Sequence, residues 1–170
     1  MPSFLTPFLD RWRFCALLAS GAMLAVAHAF QRFGGLAPCE LCLKQRTVYW
    51  VAAGFAAAAM VAVRMPGGPR LREASCWVLA LVFLIGAGIA GYHAGVEWRF
   101  WSGPASCSGS GTVTAAALKD LLNGVGRQMP ACDRAAWVFA GLSMAGWNAL
   151  ASLGMAGLSV AASARERSKR

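Results

Sequence analysis

The stretch ASCWVLALVFLIGAGIAGYHAGV, residues 74–96, runs for 23 positions without a charged side chain. A bilayer core of about 30 Å is crossed by roughly 20 helical residues, so the stretch predicts a membrane-spanning helix. Three more stretches lack charge: residues 14–30 and 47–63, with 17 positions each, and residues 135–164, with 30. The two shorter ones reach span length if Arg13, Arg46 and Arg64 snorkel toward the interface. The spans are therefore expected at about 14–32, 43–63, 74–96 and 135–162. Backbone polar groups in lipid must be satisfied internally, so the predicted fold class is an all-α membrane protein. Its architecture is expected to be a four-transmembrane-helix bundle, one domain over residues 1–170.

Composition agrees. Of the 170 residues 58% are hydrophobic and 14% charged, with mean hydropathy +0.52. An ordinary soluble domain carries about 25% charged residues. A disordered chain, a collagen-like chain and a secreted disulfide scaffold are excluded. The first stretch has a competing reading as a secretory signal, because Arg11 and Arg13 precede it and Ala27-His28-Ala29 resembles a cleavage site.

The charge pattern predicts orientation. With four spans, both termini and the 64–73 loop share one side, and 9 of the 16 Lys and Arg residues fall there. The positive-inside rule puts that side in the cytoplasm. The net charge of +9 then reads as a topology signal with attraction to anionic lipid. The basic residues are split among short segments with no folded reading module, so no nucleic-acid partner is expected. Two loops remain outside, at about 31–43 and 97–134. Small residues at Gly21 and Ala25, Gly86 and Ala90, Gly91 and Gly95, and Gly141 and Ala145 are expected to let helices approach closely.

The outer loops hold four of the six cysteines. Cys39 and Cys42 lie in Pro38-Cys39-Glu40-Leu41-Cys42-Leu43-Lys44-Gln45-Arg46, at the expected mouth of the second span. Free amide N–H groups and the positive helix end there favour a thiolate. Arg46 follows Cys42 by four residues, one helical turn along, where a guanidinium stabilises that thiolate. Glu40 works against it. A Cys-x-x-Cys pair also serves as a structural disulfide or half a zinc site, although Cys107 and Cys132 are 25 apart, too far for a zinc ribbon. The residues alone leave redox chemistry, static disulfides and metal binding open, in that order.

Cys107 sits in a Ser- and Gly-rich segment, and Cys132 precedes Asp133, the expected N-cap of the fourth helix. A Cys107–Cys132 bridge would be exposed to attack by another protein's thiolate. Between them Val113, Ala116, Ala117, Leu118, Leu121 and Leu122 predict a short amphipathic surface helix. Cys15 and Cys76, on the cytoplasmic side, read as small buried residues. His28 and His93 keep a haem- or metal-binding membrane protein open as another class.

Pro-Cys-x-x-Cys-x-x-x-Arg at the start of the second of four spans, followed by a cysteine pair in the second outer loop, resembles the bacterial disulfide bond formation protein B (DsbB) family. The segment from Cys132 to Trp147 is similar to the same family. The resemblance covers about residues 12–160. It implies a thiol:quinone oxidoreductase of the inner membrane. Its catalytic cysteines would be Cys39, Cys42, Cys107 and Cys132, with Arg46 and His93 at a quinone (ubiquinone or menaquinone) and no metal. It further implies a periplasmic DsbA-like thioredoxin-fold partner that forms a mixed disulfide at Cys107. Cys132 would then attack Cys39 and leave Cys42 as thiolate. Gln45 departs from the acidic residue that some members carry before the Arg.

Overall fold

The computed structural model describes residues 6–66, 71–104 and 132–169. Cys107 and the expected amphipathic helix over residues 113–122 lie outside them. A short α1 (Thr6–Asp10) leads into α2 (Trp12–Arg32). Then follow α3 (Glu40–Ala62), α4 (Leu71–Glu97), a hairpin of β1 (Val138–Phe139) and β2 (Leu142–Ser143), and α5 (Met144–Arg167).

Side-chain contacts fix the up-and-down order. At one end the start of α3 meets the end of α2 through Arg46 and Ala27, and the end of α4 through Gln45 and His93. Tyr49 in α3 meets Asn148 near the start of α5. At the other end Trp12 Nε1 donates to Ser159 Oγ at 2.8 Å, tying the start of α2 to the last turns of α5. Between the ends the interior is built from small residues. Ala16, Ser20, Ala52, Ala56, Ser152 and Ser159 are buried, with Phe83 and Leu79 filling the centre. Leu18, Trp50, Leu81, Leu84, Leu150 and Leu153 face outward and are more than half exposed. Small residues inside and large apolar ones outside are the packing that lipid selects, because helices gain nothing there by hiding leucines from the solvent.

Trp12–Arg32 and Leu71–Glu97 are long and apolar enough to cross a membrane by length and composition. At 23 and 24 residues, α3 and α5 match them in length. Their composition is more polar: Glu40, Lys44 and Arg46 crowd the first turns of α3, and α5 carries Asn148 and a row of serines.

Three expectations change. The last helix starts at Met144 instead of near residue 135, and Ser143 is its N-cap instead of Asp133, accepting from the Gly146 N–H at 3.1 Å. The chain before it turns back as a hairpin, with Ala140 at φ 49° and Gly141 at φ 78°. That pair of left-handed residues is what a two-residue hairpin turn needs. Gly141 is thus a turn residue and has no helix-packing role with Ala145. Arg13 does not snorkel: its side chain is 10% exposed and pairs with Glu166 at 3.3 Å.

The glycine expectation holds best at Gly86. A Cβ there would lie 2.9 Å from Val48 Cγ1, so α3 and α4 touch at this point. Gly86→Val is expected to lower stability by about 1–3 kcal/mol through overpacking. Gly21→Val, with nothing within 4 Å of its Cβ position, should change the unfolding midpoint in detergent little.

Candidate thiol site beside an apolar cavity

Cys39 is the N-cap of α3, and its Sγ accepts the Cys42 N–H at 3.3 Å. The cap places both sulfurs at the helix mouth, one turn before the charge-free run that begins at residue 47. Among the described residues Cys15, Cys39, Cys42 and Cys76 are free thiols. The Cys39 S–H donates to Cys42 Sγ at 2.8 Å. That bond, the largest influence, holds the Cys42 thiol below the ordinary thiol range, against burial and the Glu97 charge. The nearby Arg46 charge adds a smaller push in the same direction. The same bond, with burial, pushes the Cys39 thiol up. The pair therefore gives up its first proton readily, and the charge rests on Cys42.

Brief alkylation of the reduced protein, read by peptide mapping, checks this. Label is expected mainly on Cys42 near neutral pH, falling as the pH drops through that lowered pKa. Cys39 should label only in alkali, and equal labelling of the two at neutral pH would contradict it.

Arg46 does not point at Cys42 alone. Its guanidinium donates to Gln31 Oε1 at 2.5 Å and to the Ala27 carbonyl at 3.0 Å, which anchors α3 to α2. Glu40, expected to oppose the thiolate, is paired with Lys44 at 2.8 Å. His93 is buried, with Nε2 3.6 Å from Cys39 Sγ. Cys132 is disulfide-bonded and buried, and it packs in one cluster with Cys39, Leu41, Val96 and Cys42. Five of the six expected site residues thus meet at one end of the bundle; the sixth, Cys107, is outside the described residues. His28 is turned to its own helix, its Nδ1 2.7 Å from the Leu24 carbonyl.

Ligand atoms of Cys39, Cys42 and His93 all lie within 4.8 Å of one another. Two thiolates on one tetrahedral zinc, with Zn–S about 2.3 Å, are separated by about 3.8 Å. At 2.8 Å the two sulfurs are closer than two thiolates on one zinc would be.

The thiols open onto a cavity of about 470 Å³. Met23, Leu24, Phe30, Trp137, Phe139 and Met144 form its apolar wall; Cys42, Arg46, His93 and Asn148 form its polar end. The hairpin supplies part of the wall: Trp137 and Phe30 rings are 5.5 Å apart, and Trp147 Nε1 holds the Phe139 carbonyl at 3.0 Å. Such a cavity suits a flat apolar ring with polar edge atoms.

A sequence profile described as "Disulfide bond formation protein DsbB" matches residues 10–162. The chain belongs to that family. Family membership makes it a membrane oxidoreductase of disulfide formation, one that exchanges disulfides with a partner. It is 35% identical over 170 residues to "Disulfide bond formation protein B" of Methylococcus capsulatus, covering 94% of each chain. It is 32% identical to the protein of that name from Marinobacter nauticus, covering 83% of this chain and 84% of the other. For the Xanthomonas campestris protein the identity is 30%, with 89% and 90% covered. No solved structure matches the chain.

The structure also brings in groups that sequence reasoning passed over. Tyr49, Asn148, Glu97 and Gln45 join the site through their contacts with one another and with His93. A signal existed for each. Gln45 and Tyr49 are one turn apart on α3, Glu97 is one turn after His93, and Asn148 is an amide inside a charge-free stretch.

Proposed function

We propose that this chain is a thiol:quinone oxidoreductase of the bacterial inner membrane. It reoxidises a periplasmic DsbA-like thioredoxin-fold protein and hands the electrons to a membrane quinone, ubiquinone or menaquinone. The carrying observation is that the free Cys39–Cys42 thiols open on the cavity while Cys132 packs behind them. In this reading all four long helices span the bilayer, at about 14–32, 43–63, 74–96 and 144–162, as one domain. Both termini are cytoplasmic, and the 31–43 and 97–134 loops are periplasmic.

The exchange balances. A partner thiolate attacks Cys107 of a Cys107–Cys132 disulfide, and Cys132 leaves as thiolate. Cys132 then attacks Cys39 of the oxidised Cys39–Cys42 pair, and Cys42 leaves as thiolate. The partner's second thiolate closes its own disulfide and frees Cys107, which recloses on Cys132 and releases Cys39. Two partner thiols have become a disulfide, and Cys39–Cys42 has become a dithiol. A bound quinone supplies the two-electron acceptor that restores the pair. Arg46 and His93 sit at the polar end of the cavity to orient such a ring, and the apolar wall keeps water out. A static-disulfide reading leaves the free thiols at Cys39 and Cys42 without a role.

The test is a trap. A reduced thioredoxin-fold protein whose second active-site Cys is replaced by Ser should accumulate as a mixed disulfide at Cys107. Attachment at Cys39 or Cys42, or none, would overturn the exchange order.

A further inference from the structure

A line of buried polar side chains runs through the bundle to the thiols. Tyr49 Oη bonds Asn148 Oδ1 at 2.5 Å and Ser152 Oγ at 2.9 Å. Asn148 Nδ2 bonds Gln45 Oε1, and Gln45 Nε2 lies 2.8 Å from His93 Nδ1. On the other side of the ring, His93 Nε2 faces Cys39 Sγ at 3.6 Å and Glu97 Oε1 at 3.8 Å. Ser143 bonds the Glu97 carboxyl, and Glu97 Oε2 has no hydrogen-bond partner among the described residues.

Each amide in this line can point either way, but the two directions are not equivalent. A carboxylate only accepts. With Glu97 ionised beside Nε2, held so by the Ser143 bond, a lone pair on that nitrogen would face a negative oxygen, so Nε2 carries the proton. In a neutral imidazole Nδ1 is then the acceptor, and only the NH₂ end of Gln45 can serve it. Gln45 Oε1 must in turn accept, which fixes Asn148, whose Oδ1 takes the Tyr49 hydroxyl proton. Every bond then donates toward the thiols, and the Cys39 S–H continues the series to Cys42.

We propose that Gln45 is a positioning residue that holds His93 as the Nε2–H tautomer, its donor on Cys39 Sγ, so that one polarised hydrogen-bond chain runs from Tyr49 to the Cys42 sulfur. Bonds aligned head to tail polarise one another in a low-dielectric interior. The chain thus supports negative charge on the sulfur that faces the cavity. An amide at position 45 thus sets a tautomer that a carboxylate would reverse: a carboxylate would draw the proton to Nδ1 and remove the donor from Cys39.

The inference rests on reading Cys39–Cys42 as the redox pair, yet its readout needs no turnover. The chain has two histidines, so ¹⁵N-histidine labelling of the full-length reduced protein in detergent gives two rings, assigned with His28→Gln. The expected result is a protonated, N–H-coupled Nε2 and an unprotonated Nδ1 for His93. Gln45→Glu should move the proton to Nδ1 or protonate both nitrogens. Gln45→Leu should slow Cys42 alkylation by about two- to four-fold, the effect of weakening a charge-assisted bond by removing its cooperative partners. An Nδ1–H or doubly protonated ring in the unmodified chain would overturn the tautomer assignment whatever the oxidase activity. An inactive protein with an Nε2–H ring would instead count against the proposed function alone.

Discussion

Replacing Cys42 by Ser should abolish continuous oxidation of a reduced thioredoxin-fold partner, by about three orders of magnitude or more, the scale of losing an essential nucleophile. The fall should not be to zero at once. Cys132 lies in a disulfide that Cys42 does not share, so that bond can still be spent on the partner one time. A burst of about one disulfide per chain is expected, followed by arrest, because Cys39 has no partner sulfur with which to reform a bridge. Stopped-time thiol counting measures both phases. Sustained turnover in this variant would remove Cys42 from the electron path. Absence of the burst would show that the outer bridge does not accept partner thiols.

The second large effect is on stability, at the opposite end of the bundle. Arg13 and Glu166 form a pair at 3.3 Å with side chains only 10% and 4% exposed. Arg13 also donates to the Arg72 carbonyl at 3.2 Å and to Ser75 Oγ at 3.4 Å, so it links α2, α4 and α5. Lys169 Nζ, 3.7 Å from Glu166, adds a weaker, more exposed contact. Glu166→Ala leaves the guanidinium buried without its counter-charge, a change that costs about 3–5 kcal/mol. Replacing both partners is different, because neither charge then has to be desolvated. Arg13→Met with Glu166→Leu should recover most of the loss, and buried pairs exchanged for apolar groups often come out neutral or more stable by about 1–4 kcal/mol. Unfolding in detergent of the single and double variants checks both. Equal destabilisation by the two would mean that Arg13 matters through its backbone and hydroxyl contacts instead of through the pair.

What could be read from the sequence follows from which forces are local. A charge-free run of span length is a property of a single segment, and so the helices of residues 12–32 and 71–97 were foreseeable to within a few residues. The helix mouth at Cys39 and Cys42 was also local, a Pro and two Cys within a few positions, whereas the capping role of Cys39 came from the structure. The start of α5 was not, because residues 138–143 are as apolar as a helix and only the left-handed Ala140–Gly141 pair turns them back. Nothing in composition distinguishes that turn from a small-residue packing motif. Arg13 was misread for a related reason. A cation at a span end usually snorkels, and the carboxylate that buries this one is 153 positions away. At the site, Cys39, Cys42, Arg46 and His93 stood out by residue type, whereas Gln45, Tyr49 and Asn148 become a chain only when α3, α4 and α5 pack. The Ser and Asn residues along α5 face inward on one side of that helix, a polar stripe in an uncharged segment that was legible but was read only as part of a span.

The most direct measurement is an electron balance without oxygen. Purified full-length protein in detergent is mixed with a reduced DsbA-like protein and excess quinone, and thiols consumed and quinol formed are counted together. The expected result is continuous turnover with one quinol for every two thiols lost, as a two-electron exchange through one cysteine pair requires. Thiol loss that stops after the chain's own disulfides are spent, with no quinol formed, would contradict a path from the partner through Cys39–Cys42 to the cavity.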